Sequence, residues 1–220
     1  MMMKSAFLAL LLVLSLPAMA EEKAATPKID VTAAMADRVL GNPDAPVTIY
    51  EYASMTCSHC AAFHKFGLPT IKKELIETGK AKLIFRDFPL DNFAMKAAAM
   101  ARCAPADKFY PLIAMIFGEQ ERWVKTSAPD EAVAKLGALA GMDPEYIKAC
   151  MTNPDLQKAM MASMQDGQKT YAIDSTPSFI FKKGDERMME WDEFTDAMKK
   201  AEAAAKASGE KTGHEEHGHD

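Results

Sequence analysis

Apolar positions change their spacing repeatedly along the chain. From 47 to 54, VTIYEYAS combines β-branched and aromatic residues, starts after Pro46 and carries one charge, Glu51, so the pattern predicts a buried strand. The run that follows, CSHCAAFHKFGLPTIKKELIETG, puts Ala61, Phe63 and Phe66, then Leu68, Ile71 and Leu75, at helical spacing. Gly79 should stop that helix and Pro69 should kink it. KLIFRDFPL, 82–90, predicts a second strand closing around a proline. From 91 to about 171 no strand pattern is convincing; the stretch is rich in Ala and Met and reads as several helices. Two of them announce their starts, because Asp143-Pro144 and Asn153-Pro154 each place a capping side chain before a proline at the first helical position. Strand character returns with PSFIF at 177–181, a turn at KKGD and a short RMMEW, before a helix from Asp192 to about Lys206. The order β, α, β, helical block, β, β, α predicts an α/β sheet with an inserted helical subdomain, and no internal repeat is visible.

The ends decide the chemical setting. Residues 1–20 have one positive charge at Lys4, an apolar run from Ala6 to Leu16 and the small-x-small ending Ala18-Met19-Ala20. That is the pattern of a cleaved secretory signal peptide, and the apolar run falls well short of the roughly 20 residues of a spanning helix. Residues 21–45 read as a polar extension ending in the turn-rich GNPDAP. Residues 207–220, with His214, His217 and His219, read as a disordered His-rich tail. The formal net charge is −5, one unit more negative without Lys4, and no basic block occurs, which argues against nucleic acid as a partner.

Export changes the reading of the four cysteines, Cys57, Cys60, Cys103 and Cys150, because disulfides persist outside the cytosol. They suggest two bridges, for which three pairings exist. A chain of this length buries a core without needing both bridges for stability. Cys57 stands where the helix should begin, so free backbone N–H groups and the positive end of the helix dipole favour its thiolate. Cys60, one turn in, is placed to resolve. His59 and Ser58, between the sulfurs, are candidate donors to the thiolate. His64 gives a C-x2-C-x3-H spacing with them, a zinc reading that lacks a fourth ligand at conventional spacing; otherwise it is a helix-surface histidine. Cys103 and Cys150, 47 positions apart in the helical block, read first as a structural bridge contributing roughly 3 to 4 kcal/mol in the loop-entropy model, with buried free thiols or a regulatory bridge as rivals.

Taken together, EYASMTCSHCAAFH, IFRDFPL, MARCA at 100–104 and STPSFIF at 175–181 resemble, in order and spacing, the DsbA-like thiol:disulfide oxidoreductases of bacterial periplasms, over about 40–205. The resemblance implies a thioredoxin-like fold with an inserted α-helical domain: a first thioredoxin-like segment at 46–90, the insertion at 91–171 and a second thioredoxin-like segment at 172–206. It implies Cys57 as nucleophile, Cys60 as resolving cysteine and Ser58-His59 as the tuning dipeptide. Pro177 is then a cis-proline that takes a substrate backbone, with Thr176 before it, although an X-Pro bond is trans by default. Glu51 matches a buried acidic residue that relays protons to Cys60, with Arg86 either its partner or an exposed end-of-strand charge. The dipeptide departs from the best-known oxidants of the family, which open it with proline.

The expectation is therefore a periplasmic dithiol oxidase, monomeric and needing no cofactor. It donates the Cys57–Cys60 disulfide to unfolded exported cysteine-containing proteins and is reoxidised by a membrane, quinone-linked partner of the DsbB type. A disulfide isomerase or reductase uses the same site; a chaperone-like binding module with a structural CxxC is the non-catalytic rival. Met95, Met100, Met115, Met160, Met161 and Met164 read as helix core, whereas Met55, beside the motif, reads as belonging to a pliable client-binding surface.

Overall fold

The computed structural model describes residues 27–208. The segment read as a signal peptide and nearly all of the His-rich tail lie outside the described residues. Residues 21–45, expected only as a polar extension, contribute two elements. Helix α1 (Val31–Met35) is capped by the Asp30 side chain, and β1 (Val39–Leu40) is a two-residue strand, too short to show alternation in sequence.

Strand β2 (Val47–Ala53) leads through the CxxC into α2 (Ser58–Ala62), a π-helical turn (Phe63–Gly67), α3 (Leu68–Ile71) and a second π-helical turn (Lys72–Ile76). The kink expected at Pro69 takes this form: proline lacks the N–H of the helical ladder and its ring crowds the preceding turn, and a widened turn ahead of it relieves both. Gly79, at φ +73°, ends the run, and β3 (Ala81–Asp87) follows parallel to β2. Both strands stop three or fewer residues short of the expected ends, where Phe88 N–H donates to the Ala53 carbonyl (2.9 Å).

The block between β3 and the next strand is wholly helical: α4 (Asn92–Arg102), α5 (Ala106–Gly118), α6 (Gln120–Val124), α7 (Pro129–Leu139), α8 (Pro144–Met151) and α9 (Pro154–Tyr171). The caps foreseen at Asp143 and Asn153 accept from Tyr146 N–H (3.0 Å) and Leu156 N–H (2.8 Å). Strands β4 (Ser178–Lys183) and β5 (Glu186–Met188) and helix α10 (Asp192–Ala207) complete the described chain. The sheet order is β1-β3-β2-β4-β5, with β2 and β3 parallel and the other neighbours antiparallel.

Beside a small cluster of Tyr52, Phe88, Ile173 and Ile180, two larger apolar centres flank the sheet. Ile49, Phe63, Ile71, Leu83, Phe181 and Phe194 pack on the α10 side; Phe85, Met100, Phe109, Ile113 and Ile116 pack with the helical block. Cys60 and Met55 belong to the second, so the CxxC sits on the seam between sheet and block. Of the methionines assigned to the core, Met95, Met100 and Met160 are buried, Met115 and Met164 are half-buried, and Met161 is exposed because it lies on the outer face of α9.

The seam holds a buried ion pair. Arg102 donates through Nε to Asp87 (2.6 Å) and through Nη2 to the Phe85 carbonyl (2.9 Å), with both side chains at most 3% exposed. Burying such a pair is costly, and leaving one member alone is costlier. Asp87→Ala is therefore expected to lower the unfolding free energy by roughly 3 to 5 kcal/mol in urea titrations; a loss near zero would mean that the guanidinium finds water when Asp87 is removed.

Candidate active site

The end of β2 sets the first sulfur. Cys57 is the N-cap of α2, with extended backbone (φ −76°, ψ 120°), and its Sγ accepts from Cys60 N–H at 3.4 Å. The turn before it is fastened on three sides. Cys57 N–H donates to the Ser54 carbonyl (3.1 Å), and Leu90 N–H donates to Ser54 Oγ (3.3 Å). Thr56 Oγ1 donates to Asp91 (2.6 Å), the same carboxylate that caps α4. From the helical block, Gln120 Nε2 donates to the carbonyls of Met55 and Cys57, each at 2.9 Å.

Facing Cys57 is the loop before β4, where the Thr176-Pro177 peptide bond is cis. Cys57 Sγ lies 3.3 Å from the Thr176 carbonyl, to which it donates as a thiol. That contact is lost on ionisation, so a thiolate must take its stabilisation elsewhere. The largest source is the Cys60 thiol donating to it; burial opposes, and the Thr176 side chain with the backbone N–H groups of Cys60 and His59 adds to the stabilisation. The balance lowers the Cys57 pKa from 9.0 to about 5. Thr176 Oγ1 is buried and has no hydrogen-bond partner among the described residues, which leaves its proton available to the sulfur. Cys60 is fully buried and its pKa is raised, first by its hydrogen bond to Cys57 and then by burial. The two sulfurs are thus pushed apart: one ionised at neutral pH, one holding its proton.

Several expected placements change. Met55 is 1% exposed, because its side chain turns into the helical-block core, so it presents no surface to a client. Arg86 makes a two-pronged ion pair with Asp37 (2.6 and 3.2 Å), beyond the sheet from Glu51. Glu51 is instead paired with His64: Nε2 to Oε1 is 2.8 Å, with side-chain exposures of 3% for His64 and 0% for Glu51. His64 is therefore no surface residue. The π-helical turn carries it inward against Phe117, with ring centroids 4.3 Å apart. Glu51 Oε2 has no hydrogen-bond partner among the described residues. No group of three or more His, Cys, Asp and Glu side chains among the described residues is arranged to hold a metal. Ser58 and His59 lie beside the sulfurs, at a hollow of about 560 Å³ shared with the α5–α6 corner. Cys103, at the end of α4, and Cys150, in α8, are joined as a disulfide with Cα atoms 6.3 Å apart. Sequence reading missed His64 as a buried partner and missed Gln120 altogether; nothing in FGEQERW distinguishes a clamping glutamine from a surface one.

A low-pKa cysteine capping a helix, a buried second cysteine one turn in and a cis-proline loop opposite form an arrangement chemically suited to thiol–disulfide exchange. The family model described as Thioredoxin matches residues 33–201, and the chain belongs to that family. It is 33% identical over 145 residues to a Rickettsia conorii protein bearing the name protein-disulfide oxidoreductase, covering 66% of this chain and 52% of the relative. The chain thus spans about half the length of the rickettsial relatives it matches. The disulfide bond formation protein D of Bacillus subtilis is 26% identical over 175 residues, covering 74% of this chain and 75% of its own. Among solved structures, α-DsbA1 of Wolbachia pipientis superposes with a TM-score of 0.65 at 26% identity, covering 80% of this chain and 96% of that one. The fold is accordingly the thioredoxin-like one with a helical insertion that the sequence resemblance implied.

In the reduced protein, thiolate absorbance near 240 nm should report Cys57 ionising at about pH 5. Cys60→Ala removes the main donor and should move that midpoint upward; an unmoved midpoint would show that the Cys60 thiol is not the main stabilising donor.

Proposed function

We propose that the protein is a periplasmic dithiol oxidase acting on unfolded, exported cysteine-containing proteins. The observation that carries this reading is the Cys57 sulfur at the helix cap, held between the Cys60 donors and the Thr176 loop. In the oxidised state a client thiolate attacks Cys57 Sγ, the Cys57–Cys60 bond breaks, and Cys60 leaves and takes up a proton. A second client thiolate then attacks the client sulfur of the mixed disulfide and releases Cys57 as thiolate. Two electrons pass from client to protein, and the client gains the disulfide.

Charge supports the oxidising direction. A group whose pKa drops to about 5 is ionised at pH 7, which stabilises the dithiol over the disulfide. The gain is no more than ~3 kcal/mol, or ~60 mV, and solvent screening at a half-buried sulfur reduces it. Glu51, buried with one oxygen unpartnered, is the group to which we assign proton exchange with Cys60, with His64 as its holder. Pro177 and Thr176 take the client backbone, and Ser58 and His59 border its path. Cys103–Cys150 fastens α4 to α8 as a structural bridge. A quinone-linked membrane partner of the DsbB type regenerates the disulfide, in line with the DsbA names of the structural neighbours.

The oxidised protein should convert one equivalent of a reduced two-cysteine peptide to its disulfide while Cys57 and Cys60 become open to alkylation, and Cys57→Ala should convert none. Conversion by Cys57→Ala would favour the binding-module reading. In glutathione buffers, a midpoint as reducing as that of an ordinary structural disulfide would favour the reductase or isomerase reading.

A further inference from the structure

Among the described residues, Gln120 is the side chain of the helical block that hydrogen-bonds the backbone of the nucleophile. It lies 63 positions from Cys57 in sequence, is 6% exposed, and spends both amide hydrogens on two carbonyls of a single turn. Burying a carboxamide costs about 1 to 3 kcal/mol unless it is satisfied, so its use on the Cys57 turn, away from the helix ladder, has a physical consequence. The Cys57 carbonyl already accepts the first bond of α2 from Ala61 N–H (3.1 Å); Gln120 supplies its second donor. The Met55 carbonyl accepts the other Gln120 amide hydrogen. Without Gln120, two partial negative charges beside Sγ would lose a counter-dipole, and the turn would lose its tether to α6.

The tether is stiff. Gln120 opens α6 immediately after α5, and the corner is pinned by Trp123, which is 2% exposed and donates through Nε1 to the Ile116 carbonyl (2.9 Å). Glu119 N–H continues the ladder to Met115 (3.0 Å). The position of the helical block is thereby passed to the Met55–Thr56 and Cys57–Ser58 peptide units, the second of which opens the helix that turns the Cys60 N–H toward Sγ.

We propose that Gln120 is a positioning residue for thiol–disulfide exchange: by clamping the Met55 and Cys57 carbonyls it keeps the Cys57 sulfur aligned with its donors, and so sets the equilibrium between dithiol and disulfide from the helical block. This rests on the thiol–disulfide reading of the site.

The test compares the full-length protein with Gln120→Met, which keeps length and loses the donors, and Gln120→Glu, which keeps shape and replaces donors by acceptors. Gln157→Met serves as control, since Gln157 donates to the Met151 carbonyl (2.8 Å) far from the sulfurs. Both Gln120 variants should raise the Cys57 thiolate midpoint by about one pH unit and move the glutathione equilibrium about tenfold toward the disulfide, with the larger change in Gln120→Glu and none in the control. A glutamine that merely supports the fold would lower the melting temperature of oxidised and reduced protein equally and leave midpoint and equilibrium within about twofold of wild type; that result overturns the proposal. If Gln120→Met does not fold, Gln120→Glu carries the same readouts. Wild-type Cys57 titrating as a free thiol would overturn the underlying exchange reading, and this inference with it, whereas an acidic wild type with equally acidic variants overturns this inference alone.

Discussion

The site depends on one sulfur placed where a helix begins. A residue at the N-cap has backbone N–H groups of the first turn directed toward it and the positive end of the helix dipole behind them, and both favour a negative charge. Cys57 occupies that point, and Cys60, one turn on, adds its N–H and thiol. Burial works the other way, so the sulfur is anionic only because several donors converge on it. The same convergence keeps the proton on Cys60, which sits in an apolar core.

Holding that geometry falls to elements far apart in sequence. Asp91 at the head of α4 takes the Thr56 hydroxyl, Gln120 from α6 takes two carbonyls, and the loop before β4 brings Thr176 against Sγ. All three attach on the seam between sheet and helical block, where Arg102 and Asp87 are also buried together. The insertion thus does more than cover the sheet: it supplies bonds to the turn that carries Cys57. Glu51 and His64 lie on the inner side of the same seam, so the carboxylate closed into β2 has its partner from the helix that follows the CxxC.

Local rules carried the sequence reading a long way. The β2 and β3 strands, the helix start at Cys57, the caps at Asp143 and Asn153 and the unbroken helical block all follow from short-range pattern, and the structure has each of them within a few residues. What local pattern could not give was pairing across the fold. Arg86 was the one partner that sequence reading offered for Glu51, and His64 read as a surface residue; only the π-helical turn, which rotates His64 inward, makes it the partner. Met55 lies in the core for a similar reason: adjacency to the motif says nothing about which side of the strand end a side chain takes. Strand β1 was too short for periodicity, and Gln120 acts through its amide on backbone atoms that no sequence motif records.

The reduction potential of the Cys57–Cys60 pair, followed across the acid and neutral range, tests the anionic sulfur most directly. With Cys57 ionising at about 5 and Cys60 keeping its proton, the slope should fall from ~60 to ~30 mV per pH unit near pH 5, as reduction changes from taking up two protons to taking up one. A single slope of ~60 mV per pH unit continuing past about pH 8 would mean that the sulfur at the helix cap is an ordinary thiol.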